Sequence, residues 1–447
     1  DKEKGKYFKI EKNHAAPTGS KYTVENVRRI TKRDRRDEVT NRIKKKIRLH
    51  TVQQQHAGNI LAQSLSVELG AQRKSYYMQN VWPNACSWGL GKKSSLIVEP
   101  GGTSIKFFDR DPKSKTLYAV LDDNRIVRRY SDHDSNKYHN QPFDELARTT
   151  SIVSSLHYLP ASGALVATTQ GGERPPTVTL SDPERDGPYV NQQFTPKNIN
   201  TIWGSTPRPY FAPTPFSIHE SREETVAVTT SHSLLMYIRH PDGSWHTREA
   251  YHHGRDILSS DWMSHTMLTL GTRPGSIFIH DTRSSGATEY AKHPGPVTMI
   301  KAIDPITILC ADMDKKMCLY DLRMANKRLL DKKDTFWQPL VPESNRSMKR
   351  KKHRFSLPLY KFDDGSDVGG TFDVDVDVRA GIVASSQWVG KEPVQGIRIA
   401  NLWTGKTIKE VKTHTQSQCI RFVDEGDDDG AKSLLVSFGG ELTKLGW

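Results

Sequence analysis

The chain has 447 residues, of which 35% are hydrophobic and 26% charged, with 31 glycines, 24 prolines and four cysteines. This composition gives ample material for a core and excludes a collagen-like, disulfide-framework or wholly disordered protein. No stretch reaches the roughly 18 consecutive apolar residues of a membrane span, and no apolar h-region follows the charged opening, so the expectation is a soluble intracellular protein without a membrane partner. The formal charge of +14 is unevenly placed: residues 1–50 hold 17 Lys/Arg against 7 Asp/Glu, and residues 51–74 add 2 against 1, leaving +3 for the remainder.

In chain order, Lys6 to Ile10 and the break Ala16-Pro17-Thr18-Gly19-Ser20 suggest a short extended motif over residues 1–22. Residues 23–74 read as a basic helical extension. Thr23 to Asn26 offers a helix start, and Val24, Val27, Ile30, Val39, Ile43 and Ile47 recur at helical spacing as a thin apolar stripe amid charge, which reads as a solvated basic helix. A second helix follows, with Ile60, Leu61, Leu65 and Leu69 on one face and Gly70 as its C-cap.

From residue 75 onward the period changes to two. Paired strand signals begin near Leu117, Ala164, Thr225, Met267, Thr307, Gly381 and Ser433, each followed by turn residues such as Asp122-Asp123-Asn124, Arg273-Pro274-Gly275 or Gly439-Gly440 and then by a partner strand. The segment Ile308 to Arg323 shows the figure best, with two short strands, a turn at Met313 to Lys316, and a Tyr320-Asp321-Leu322-Arg323 close. Ser276 to Arg283 repeats it with His280-Asp281-Thr282-Arg283, placing the two Asp-x-Arg ends 40 residues apart (323 minus 283), a propeller-blade period. The expected fold is all-β, a seven-bladed WD-repeat β-propeller over residues 75–447 with the N-terminal basic helical extension and with Leu442 to Trp447 closing the ring. An interval of 74 residues between Thr307 and Gly381 implies a basic loop insertion at about 331–358, containing Lys349, Arg350, Lys351, Lys352 and Arg354. Such a run suits a nuclear-import signal or phosphate contact; a solvated loop is the simpler reading.

Signatures of catalysis are missing: there is no phosphate-binding Gly-x-x-x-x-Gly-Lys run, no Gly-x-Ser-x-Gly elbow and no His-Glu-x-x-His, so no enzyme activity, metal or cofactor is expected. Asp373 to Val378 imitates a calcium loop but has Val378 where the loop needs Gly, and its alternation reads as a strand. Cys86, Cys310, Cys318 and Cys419 lack metal or disulfide spacing and read as small buried hydrophobes. His293 and His414 stand at the entry to a blade's first strand and read as structural. The Asp-x-Arg ends remain: arginines at a propeller rim present a fixed fork of donors, and two on adjacent blades form one patch.

These residues resemble the WD-repeat substrate receptors of cullin-4 RING ubiquitin ligases. Their box matches at Ile308, Leu309, Ala311, Asp314, Met317, Leu319, Tyr320, Asp321, Leu322 and Arg323, and more poorly around Asp281 and Arg283. The opening Asp1 to Ile10, the basic helix and Gly275 to Arg283 also fall in the order of one member. The resemblance implies a non-catalytic receptor and scaffold. It also implies binding of the damaged-DNA-binding adaptor of the ligase through Tyr320, Asp321, Arg323, Asp281, Arg283 and a preceding helix carrying Leu61, Leu65 and Leu69, and presentation of an unknown protein substrate. The alternative is a nuclear RNA- or chromatin-associated propeller that binds nucleic acid through the basic N-terminal segment and the Lys349 to Arg354 loop. Either reading places the protein in the nucleus, with the cytoplasm as a second compartment.

Overall fold

The computed structural model describes residues 23–52, 64, 67, 68 and 74–446, apart from 99–101, 131–142, 185–189, 210–223, 315, 326–328, 331–354, 363–372, 390–393, 414 and 425–431. The chain divides into two units, residues 1–73 and 74–447. In the first, Val24–Val52 is one continuous α-helix. Every residue from Arg28 to Asn41 is exposed. The expected apolar stripe is not continuous: Ile30 and Val39 are nine residues apart, which at about 100° per residue puts them on opposite sides. Leu61, Leu65 and Leu69 lie outside the described residues.

In the second unit the described residues form seven four-stranded antiparallel sheets and one two-stranded ribbon. The first strands of successive blades begin at Ile105, Val153, Ile202, Ile257, Val297, Val374 and Ser417. The paired strands expected from the sequence are the second and third strands of these blades; Ala164–Thr169, the faintest of them by sequence, belongs to a full four-stranded blade. Second strands are buried along their length, as in Leu117–Leu121, Thr225–Thr230 and Thr307–Asp312. They read as continuous apolar and small-residue runs because sheet neighbours cover both faces.

Ring closure uses the expected last strand, with a partner the sequence reading did not name. The strand Glu441–Gly446 is the third of the last blade, and the outer strand that completes it is Lys92–Val98, from the other end of the unit. Lys92 pairs with Gly446 and Val98 with Glu441. The join removes the free edge that a strand-to-strand opening would leave.

Carboxylates on the innermost strands tie neighbouring blades together. Asp109 accepts the Tyr158 N–H at 2.7 Å, Asp261 the Ala302 N–H at 2.7 Å, and Asp375 the Phe422 N–H at 2.8 Å. Asp375 also accepts from Lys301 Nζ at 2.9 Å. Burial pushes the Asp109 and Asp261 carboxyls up; for Asp375 the same burial is outweighed by Lys301 and Arg421, which hold it low. The stretch Asp373 to Val378 thus supplies a first strand, Val374–Asp377, whose acids face a lysine, an arginine and the next blade's backbone.

Two further features frame the site. The neck of the insertion is a ribbon, Leu329–Leu330 paired with Phe355–Ser356, and Ser356 Oγ accepts the Lys292 N–H of the fourth blade at 2.9 Å. Before the closing strand, the π-turn Tyr77–Val81 and the helix Trp82–Gly89 lie against the sixth blade, where Trp82 Nε1 donates to the Arg379 carbonyl and Asn401 Nδ2 to the Gln79 carbonyl. Gly381 (φ +67°) permits this approach, since a Cβ there would stand 2.8 Å from Trp403 Nε1 and 3.0 Å from Pro83.

Candidate functional site

The site is built where third strands end. In the fifth blade Thr307–Asp312 and Met317–Asp321 pair so that Thr307 faces Asp321. The chain then turns through Leu322, whose buried side chain anchors the turn, and brings Arg323 back onto Asp321. Asp321 Oδ1 accepts the Arg323 backbone N–H at 2.9 Å and its Nε at 3.1 Å, while Oδ2 accepts Nη2 at 2.8 Å. The fourth blade repeats this atom for atom: Asp281 accepts from Arg283 N, Nε and Nη2 at 3.0, 3.0 and 2.7 Å. The Arg283 hydrogen bond brings the Asp281 carboxyl down to about 2, and Arg323 lowers Asp321 in the same way.

Both guanidiniums are therefore ordered by an acid two residues away yet remain in water, with side chains 73% exposed at Arg283 and 65% at Arg323. Among the described residues only Nε and Nη2 of each arginine engage its aspartate, leaving the Nη1 donors for an outside acceptor. Arginines ending the third strands of earlier blades are used differently. Arg239 spans to Asp182 of the preceding blade and to Glu224, and Arg128 reaches Glu184 at 2.6 Å, with side-chain exposures of 10% and 16%. Those two join blades. Arg283 and Arg323 follow third strands of adjacent blades and so share one face of the ring.

Tyr320 does not belong to that surface. It is fully buried, with its hydroxyl 2.8 Å from His293 Nδ1, and His293 Nε2 lies 3.3 Å from Asp312 Oδ2. The aromatic of the box thus positions the strand, and the structural reading of His293 fits this geometry; His414 lies outside the described residues. In the fourth blade His280 takes the tyrosine's place, buried, with Nδ1 2.9 Å from the Gly286 carbonyl oxygen; burial lowers its pKa. Lys349, Arg350, Lys351, Lys352 and Arg354 lie outside the described residues.

The sequence reading missed a third copy of the turn. Asn401 closes the third strand of the sixth blade, and its Oδ1 accepts the N–H groups of Trp403 and Thr404 at 2.8 and 3.1 Å. An Asx residue at a strand end followed by Thr404-Gly405-Lys406 was the available signal. Here Trp403 replaces the arginine, and exposed apolar side chains accumulate around the same blades: Met324, Leu359 and Tyr360 in the fifth, Val378 in the sixth, and Met78, Trp82 and Trp88 on the docked segment. Among the described residues no group of three His, Cys, Asp or Glu could hold a metal ion, and no helix is long and apolar enough to cross a membrane.

No protein-family model matches the chain, and no curated protein does. Solved structures do match. The WD40 β-propeller domain of Doa1 aligns over 78% of this chain and 94% of its own length at 10% identity, with a TM-score of 0.51. The β-propeller domain of Cps50 (Swd1) from Myceliophteria thermophila aligns over 80% of this chain and 100% of its own at 12% identity, with a TM-score of 0.52. At such identity the likeness concerns the fold, and with the seven closed blades described above it establishes that this chain is built on a seven-bladed WD40-type β-propeller.

Proposed function

We propose that the chain is a non-catalytic scaffold that captures a partner protein on the face bearing Arg283 and Arg323. In its specific form, the partner is the damaged-DNA-binding adaptor of a cullin-4 RING ligase, to which this propeller delivers a second protein as substrate. The observation that carries the reading is the pair of Asp-x-Arg turns on adjacent blades. Each guanidinium is pre-ordered by its own aspartate and exposed, whereas Arg128 and Arg239 are consumed between blades. Pre-ordering reduces the side-chain entropy lost on docking, and a charged fork on a blade that also exposes Met324, Leu359 and Tyr360 has the makeup of an interface anchor.

The test is equilibrium binding of the purified adaptor to single and double variants. Arg323→Ala should weaken binding by about tenfold or more if it is a central anchor. Arg283→Ala should do less, and the pair together with Leu65→Asp should abolish capture. The melting temperature of each arginine variant should stay near wild type, because exposed ion pairs add little to stability. Normal adaptor binding by the folded triple variant would end the ligase-receptor reading.

A further inference from the structure

In the helix Val24–Val52 the charges of one exposed stretch are sorted by face. Between Arg28 and Asn41, where every side chain is exposed, the six cations are Arg28, Arg29, Lys32, Arg33, Arg35 and Arg36. At about 100° per residue all six fall within an arc of roughly 160°. The three acids of that stretch, Asp34, Asp37 and Glu38, occupy the remainder, joined to the basic arc at its margin by Arg33 and Asp37 at 3.9 Å. Arg28, Lys32 and Arg36 form one row four residues apart, and Arg29 and Arg33 a second. Like charges at this spacing repel one another, and an external anion laid along the arc relieves that repulsion.

What neutralises it is constrained by what else the helix lacks. Ile30 and Val39 lie on opposite sides, so this stretch has no apolar face to bury in a bilayer or a hydrophobic groove, and the acids would meet any anionic lipid surface on the far side. Five of the six cations are arginines, whose planar forks suit phosphate oxygens. From Arg28 to Arg36 they extend about 12 Å along the axis, at 1.5 Å per residue, within reach of several successive phosphates of a duplex strand. We propose that the basic arc from Arg28 to Arg36 of Val24–Val52 is a docking arm for the sugar–phosphate backbone of a nucleic-acid duplex, bound by charge and without base readout. This does not depend on the adaptor reading, and the two surfaces can be lost separately.

The experiment uses the full chain and fluorescein-labelled 20-base-pair RNA and DNA duplexes of unrelated sequence, followed by anisotropy from about 50 to 200 mM salt. Binding should be insensitive to sequence and fall steeply with salt. The variant R28Q/K32Q/R36Q, in which Gln preserves helix propensity, should bind at least about tenfold more weakly and flatten the slope of log affinity against log salt by about 2 to 3. K113Q/K197Q/K406Q removes the same charge from exposed lysines of the propeller and should bind within about twofold of wild type. Equal losses in both triple variants, or absence of salt-dependent binding at the lowest salt, overturns the proposal. So does a labelled polyglutamate that binds as tightly as the duplex, which would transfer the arm to an acidic protein.

Discussion

Replacing His293 with Phe tests how the fifth blade holds the strand that presents Arg323. His293 and Tyr320 are 0% exposed and Asp312 is 2% exposed, so no solvent can take over a bond that is lost. Phe keeps the ring volume while removing the contacts at 2.8 Å with the tyrosine hydroxyl and 3.3 Å with the carboxylate. A buried polar group left without its partner costs about 1–3 kcal/mol. The carboxylate contact is the longer one, and Asp312 keeps its bond from the Lys316 N–H at 2.9 Å. Its share is therefore small, the Tyr320 hydroxyl keeps a hydrogen bond with Cys318, and the total should be about 1–3 kcal/mol. Tyr320→Phe, which strips the hydroxyl and leaves the imidazole short of a partner, should cost about 1–2 kcal/mol. With both changes neither group is orphaned by the other, so the double variant should lose about 1 kcal/mol less than the sum. Urea unfolding with a common slope, read as midpoint shifts, measures all three. Singles at wild-type stability, or strictly additive losses, would refute the view that this pair fixes the strand.

Further predictions concern the thiols, the closure and a first-strand histidine. Burial pushes the Cys86 thiol up to about 11 and Cys419 up to about 12, and raises Cys310 as well. A thiol reagent at mild alkaline pH should therefore label the native chain slowly and all four cysteines only after denaturation; rapid stoichiometric labelling of the native chain would contradict this. Starting the chain at residue 99 removes the outer strand Lys92–Val98 and exposes the edge of Glu441–Gly446, so this truncation should aggregate or melt well below wild type. Burial, together with Arg421 and Lys301, pushes His157 down from 6.5 to about 3. Below pH 6.5 the unfolded chain then binds a proton that the folded chain refuses, so this residue's contribution to stability falls as pH drops from 6.5 toward about 3 and is constant above. His157→Gln should flatten the fall in melting temperature between pH 7 and 5, on the order of the one-proton linkage, and an unchanged pH profile would count against it.

Much of the propeller was legible in the sequence, because each blade is a local object. The alternation, turn chemistry and period around Leu117, Thr225, Met267 and Thr307 set second and third strands within a residue or two of where they lie, since hairpins form between neighbours in the chain. The Asp-x-Arg ends were legible for the same reason, as a two-residue hydrogen-bonded turn needs nothing from elsewhere. The charge asymmetry of Arg28 to Arg36 was present in residue order and needed only a helix to become a face.

Tertiary structure decided what depends on distant partners. Closure joins Lys92–Val98 to Glu441–Gly446 across nearly the whole unit, and an outer strand reads alike whether it closes the ring or leads into it. Nothing local distinguishes Arg239, drawn between blades by Asp182 and Glu224, from Arg323, left in water beside its own aspartate. Likewise Tyr320 looks like a contact residue in its motif, and only the arrival of His293 from the preceding loop shows that its hydroxyl is already taken. Local order therefore fixes hydrogen bonds made within a turn. Burial and availability follow from which other segments the ring brings alongside.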